Sequence, residues 1–144
     1  MLYGLQILFL YAVKPDSPYK NTAIIALGSN IDPERHFALA KAKLQEKVYI
    51  LAESRAVYTK PISAKPQPDF LNGVVLIETE MEKSELIAWL HSIEEELGRI
   101  RTQDKYGPRT MDLDLVVWQG QIVHPDVKER TYLQELIKEV FPHI

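Results

Sequence analysis

The chain has no cysteine among its 144 residues. Disulfides, thiolate metal sites and thiol nucleophiles are therefore excluded, and a reducing compartment is compatible with the composition. No GxxxxGK[ST] segment occurs, so GSN at residues 28–30 is not a P-loop and a bound triphosphate would depend on metal and side chains. Excess positive charge is also lacking. Seventeen Lys and Arg face 20 Asp and Glu, for a net charge of −3 and a pI near 5.8, which argues against a dedicated nucleic-acid binder. The apolar run at residues 1–13 is too short to span a bilayer as a helix. It also lacks the basic start and small-residue cleavage site of a secretory signal. The expectation is a cytoplasmic protein with no membrane or nucleic-acid partner, and a monomer. No internal repeat or low-complexity tract is visible.

With 46% hydrophobic and 26% charged residues, the chain reads as one globular domain with room for a real core. Residues 1–20 read as an N-terminal extension, and residues 21–144 as the domain. The extension could be an added strand, a tail, an oligomer contact or the product of a start codon placed too early. A short apolar run at residues 22–27, ended by Gly28, predicts a buried strand. Asp32 and Pro33 supply a capping oxygen and a proline for a helix start, and Phe37, Ala40 and Leu44 follow at helical spacing. Residues 48–58 and 70–79 read as further strands, and Leu86, Ile87, Leu90, Ile93 and Leu97 mark a second amphipathic helix. A strand over 111–118, a short one near 121–123 and a last helix at about 126–139 complete the order. This pattern predicts an α+β ferredoxin-like sandwich, an antiparallel sheet with its helices packed on one face. A small parallel α/β sheet is the alternative, disfavoured because residues 59–69 contain no crossover helix.

The most informative run is GPRTMDLDL, residues 107–115. In a strand, Asp112 and Asp114 share a face about 7 Å apart, while Met111, Leu113, Leu115 and Val117 point into a core. Paired carboxylates suit Mg²⁺, which usually also takes substrate phosphates; the plain alternative is a solvated strand face. Arg99, Arg101, Lys105 and Arg109 lie just upstream, against the chain's acidic balance. Acids beside arginines are the equipment of phosphoryl transfer, although an exposed basic loop would look similar. Residues 59–69, with Pro61, Pro66 and Pro68, and residues 102–106 could act as lids over a site or be ordinary surface loops. Phe70 and Asn72 share a strand face and could stack on a flat heterocycle and read its edge, whereas Phe70 alone would suit a core.

AIIALGSNI (23–31), VYTKP (57–61), PDFLNGVV (68–75), IEEELGRIR (93–101) and GPRTMDLDL together resemble the 6-hydroxymethyl-7,8-dihydropterin pyrophosphokinases of folate biosynthesis, in order and approximate spacing. The resemblance covers about residues 22–133. It implies the same fold, ATP as co-substrate, and diphosphoryl transfer to the pterin hydroxymethyl group with release of AMP. It further implies that Asp112 and Asp114 hold two Mg²⁺ ions and that Arg99 and Arg109 act in catalysis. Glu94, Arg101, Leu115, His124 and Arg130 fall on the nucleotide side; Pro61, Phe70, Asn72 and Tyr132 fall on the pterin side. Alone, His124 would read as a surface histidine. Lys60, Ser63 and Tyr106 depart from the residues usual in the family, the Asp114 to His124 segment is shorter than in well-known bacterial members, and the C-terminal region is trimmed. A non-catalytic ligand-binding module or a metal-dependent phosphohydrolase would be the other classes.

Overall fold

The computed structural model describes residues 21–63, 65–99 and 106–142. The N-terminal extension, Arg101 and all but Tyr106 of the second expected lid lie outside the described residues. The elements are β1 (Asn21–Ser29), α1 (Pro33–Leu44), β2 (Tyr49–Glu53), β3 (Val57–Thr59), β4 (Phe70–Thr79), α2 (Lys83–Glu96), β5 (Asp112–Trp118), β6 (Gln121–Ile122), α3 (Asp126–Glu129) and α4 (Thr131–Val140). All strand pairs are antiparallel. The order is β2-β4-β1-β5-β6, with β3 also paired to β4. The expected α+β sandwich is thus present, and the most apolar strands lie at its centre. Among the described residues, no helix is long and apolar enough to cross a membrane.

Alternation along the strands divides the core between two faces. On the first, Ala23, Ile25 and Leu27 of β1, Val75 and Ile77 of β4 and Met111, Leu113 and Leu115 pack against Phe37, Ala40 and Leu44 of α1 and Leu86, Leu90 and Ile93 of α2. On the second, Ile24, Val74, Leu76, Val116 and Val117 meet Leu133, Leu136, Ile137 and Val140 of α4. The spacing of those α4 residues makes one apolar stripe. α1 and α2 share a face as expected, whereas α4 covers the other.

Four local expectations are corrected. The strand read over 48–58 is divided, because Ser54 bonds Val74 through its backbone N–H and accepts the Val74 N–H on its Oγ, both at 2.9 Å. Asp32 occupies the N-cap of α1 in the left-handed region (φ 45°) and its side chain makes no cap bond; the carboxylate lies 3.6 Å from Arg35 instead. The last helix is interrupted at Arg130, whose backbone is extended (φ −121°, ψ 108°). Val117 does not share the face of Leu115. The β1/β5 register shifts between Ile24 and Ile25, a bulge that leaves Val116 without a partner across the ladder. Val116 and Val117 both join the α4 side, and Trp118 returns to the first face.

β5 and β6 are joined through Gln119 and Gly120, both with positive φ (51° and 79°), as a two-residue primed turn requires. Gln119 ties that turn to the start of β1 by accepting the Thr22 N–H at 2.8 Å and donating to Asn21 Oδ1 at 2.8 Å. The short hairpin is therefore anchored to the central strand.

Candidate functional site

The second face is apolar only where α4 covers it. Towards the other end it opens into a cavity of about 890 Å³. Its floor follows from register: Gly28 pairs with Asn72 on one side and Asp112 on the other, while Ala26 lies between Val74 and Asp114. Small residues on β1 keep the floor low; a Cβ added to Gly28 would come 3.6 Å from Asn72 Oδ1. Asn72 and Asp112 lie two strand spacings apart, about 10 Å. Thr59 to Ile62, Tyr106 to Arg109 and residues 124–133 contribute the walls.

Asp114 is partly buried, and its carboxyl is pushed up to about 8, first by desolvation and then by the charge of Asp112. Glu94, 1% exposed, is pushed up to about 7 by burial, against the opposing pull of the Leu113 N–H and Arg99. Its Oε2 accepts the Leu113 N–H at 2.7 Å and Arg99 Nη1 at 2.8 Å. The same Nη1 donates to Asp112 Oδ1 at 2.9 Å. Arg99 thus links α2 to the acid strand. Its buried Nε has no hydrogen-bond partner among the described residues.

Asn72 is 8% exposed. Its Nδ2 donates to Thr59 Oγ1 at 2.7 Å, Phe70 O at 3.1 Å and Val57 O at 3.3 Å. Among the described residues the amide nitrogen is therefore taken up by its own β-ladder, and the carbonyl oxygen is the part left to read a ligand. Phe70, Pro61 and Tyr132 line the same cavity. Burial raises the Tyr132 phenol further above neutrality, so the ring presents an uncharged face.

Across the cavity, His124 Nδ1 accepts the Asp126 backbone N–H at 3.2 Å. With Nδ1 as the acceptor of that bond, Nε2 is the nitrogen left to donate. Asp126 Oδ2 lies 3.4 Å from Arg130 Nε. Arg109 is fixed through its backbone N–H on Asn30 Oδ1 at 2.8 Å, and its Nη1 donates to Gly107 O at 2.7 Å.

Arg99, Arg109, Asp112, Asp114, His124 and Arg130 therefore surround one cavity with Phe70, Asn72, Tyr132 and Pro61. Glu94 stands behind Arg99. The Leu115 side chain is buried in the first-face core, away from the cavity, so any ligand contact there would involve its main chain. Sequence reasoning missed Asp126 and the Asn30 network. Asp126 was detectable as an acid four residues before Arg130; Asn30 carried no comparable signal.

Among the described residues, no group of three or more His, Asp or Glu is placed to hold a metal. The donor set is a pair of crowded carboxylates whose mutual repulsion a divalent cation would relieve. Hard oxygens in that number fit Mg²⁺, which keeps waters and takes substrate oxygens for its remaining positions.

Fold and cavity define the class: an α+β sandwich whose helix-poor face carries an acid pair, several cations and a heterocycle-sized recess. Residues 24–142 match the family model of the 7,8-dihydro-6-hydroxymethylpterin-pyrophosphokinases (HPPK), and the chain belongs to that family. It is 36% identical over 105 residues to a 2-amino-4-hydroxy-6-hydroxymethyldihydropteridine pyrophosphokinase of Haemophilus influenzae, covering 71% of this chain and 65% of that protein. With the Bacillus subtilis protein of the same name, identity is 34% over 131 residues, covering 83% and 78%. A folic acid synthesis protein of Pneumocystis carinii is 34% identical over 139 residues, 89% of this chain but 19% of that protein. The chain thus spans just under two thirds of the Haemophilus relative and about a fifth of the fungal one.

Proposed function

We propose that the chain transfers the β,γ-diphosphoryl group of ATP to the hydroxymethyl oxygen of 6-hydroxymethyl-7,8-dihydropterin, releasing AMP, as a monomer in the cytoplasm. The observation that carries this reading is the pairing of Gly28 with both Asn72 and Asp112. A heterocycle reader and an acid pair thereby face one cavity, about 10 Å apart, a span suited to a bicyclic ring bearing a one-carbon arm. Family membership supports the same chemistry.

On this reading Asn72 Oδ1 accepts an N–H from the ring edge, Phe70 and Tyr132 supply apolar faces and Pro61 stiffens the adjacent wall. Arg99, Arg109 and Arg130 bind phosphate oxygens, with Arg101 assigned to the same cluster, and His124 donates from Nε2. Glu94 serves the nucleotide side by holding Arg99. Asp112 and Asp114 would hold Mg²⁺, two ions on this reading, which supplies charge neutralisation on the phosphate oxygens. Positioning and electrostatics carry most of the rate in such a transfer, and no strong protein base is required.

Nucleotide analysis after mixing protein, ATP, Mg²⁺ and the pterin, with controls lacking each, tests the reading. AMP formed only with pterin present is the expected outcome. ADP or pterin-independent hydrolysis would point to a phosphohydrolase, and absence of Mg²⁺-dependent nucleotide binding to a non-catalytic module. Asp112→Ala and Asp114→Ala should each lower turnover by about 10³-fold or more with the fold retained; near-normal rates in both would refute the assignment.

A further inference from the structure

Asn30, just past β1, is 3% exposed, and its side chain joins two segments that are far apart in sequence. Its Nδ2 donates to Gln67 Oε1 at 2.7 Å and to Pro68 O at 3.0 Å. Its Oδ1 accepts the Arg109 N–H at 2.8 Å, and its own N–H donates to Arg109 O at 3.0 Å. Gln67 extends the circuit by donating from Nε2 to Tyr106 O at 2.7 Å. One chain of amides thus runs from the segment that leads into Phe70 to the turn that carries Tyr106 and Arg109. Both ends line the cavity.

We propose that Asn30 and Gln67 are positioning residues that couple the heterocycle-side wall to the arginine-bearing turn, so that ordering one wall sets the other. The functional half of this inference rests on the reading of the cavity given above. A glutamine is suited to the middle position because its amide accepts from Asn30 and donates to Tyr106 at once. A carboxylate there could only accept, and would face the Tyr106 carbonyl. Neither residue needs to touch a substrate. Their effect is on where Arg109 stands, since its backbone N–H is fixed by Asn30, and on the approach to Phe70.

Gln67 is partly exposed on a loop, so Gln67→Ala and Gln67→Glu test the circuit without opening the core. Amide hydrogen exchange on the ligand-free full chain should show residues 106–110 exchanging about three- to tenfold faster in both variants, the scale of one lost hydrogen bond, with α1 and α2 unchanged. Unchanged exchange at 106–110 would overturn the coupling. Binding of the pterin with and without a non-hydrolysable ATP analogue and Mg²⁺ gives the second readout. In the parent protein each ligand should tighten the other by the same factor, and Gln67→Ala should bring that factor towards one. If that factor survives in Gln67→Ala while the separate affinities fall, Gln67 is a local support only and the proposal fails. A parent protein that binds neither ligand would instead refute the functional reading, leaving the exchange result to decide the coupling.

Discussion

Replacing Asp114 by asparagine should abolish turnover yet stabilise the metal-free protein at alkaline pH. A partly buried carboxyl with its pKa raised from 3.8 to about 8 holds its proton more tightly in the folded state than in the unfolded one. Its contribution is full below the unfolded value and is lost as pH rises through about 8. The interval of about four pH units sets a ceiling near 6 kcal/mol. Relaxation of the Asp112–Asp114 repulsion and entry of water into the open cavity reduce the expected difference to about 2 kcal/mol. Asparagine keeps the shape and carries no charge, so the variant should escape this loss, while Glu94 contributes in the same direction to both proteins. Urea unfolding in EDTA at pH 5, 7 and 9 reads the difference directly. In thermal melts it corresponds to about 6–8 °C between parent and variant at the alkaline end. Mg²⁺ at pH 9 should restore the parent and do little for the variant, by linkage to the occupied site. Parallel pH profiles for the two proteins would refute the electrostatic account of the acid pair.

Two further outcomes follow from side chains around that pair. Glu94→Leu removes the acceptor of the Leu113 N–H and one of the two carboxylates bonded by Arg99, which keeps Asp112; the unsatisfied donor should cost about 1–3 kcal/mol in urea unfolding. Because the Leu113 N–H stays unsatisfied, adding Arg99→Met should recover only the part of that loss due to the Glu94–Arg99 pair, and strictly additive effects would show that the two residues are not a unit. Asn72→Asp would place a carboxylate against the oxygens of Val57, Thr59 and Phe70, which now accept from Nδ2. Stability at pH 7 should drop by about 1–3 kcal/mol and recover as acid protonates the new group; a pH-independent loss in chemical denaturation would contradict the donor role assigned to Nδ2.

The sequence made the elements legible where one period dominated. Phe37, Ala40 and Leu44 fall on one side of a helix in any context, and the alternation of Asp112 and Asp114 with Met111 and Leu113 admits one strand register. It failed where a single side chain changes a ladder. Ser54 accepts a backbone N–H of β4 and divides a run whose composition is uniformly strand-like. The bulge at Val116 is set by pairing with β1, so no local pattern announces that Val117 changes face. The amphipathic stripe of α4 reveals its apolar side but not which face of the sheet receives it. Arginines and acids near the site were visible as charge against an acidic background. Asn30 and Gln67 carry no charge and no periodicity, and their bonds become apparent only when residues 30, 67 and 109 are brought together.

The two faces of the sheet divide the work unequally, and the Val116 bulge decides which β5 side chains serve each of them at its far end. On the first face, apolar alternation continues from Met111 through Leu115 to close a core with α1 and α2. Had the alternation run on unbroken, Val117 would have joined that core and Trp118, which packs on the first face, would have taken its place beneath α4. With Val117 turned over to join Val116, Leu133, Leu136, Ile137 and Val140 pack on two adjacent valines of β5. The Arg55 backbone N–H and Nε add bonds to Glu139 at 2.9 Å and 2.8 Å. α4 begins at Thr131, so seating its far end holds Tyr132 and the preceding Arg130 at the cavity rim. Burial distant from the chemistry thereby positions a ring and a cation beside the acid pair, while Ala26 and Gly28 keep the central strand from filling the space between them. Apolar packing at one end of the face and small residues at the other are two parts of one solution: a rigid wall beside an open floor.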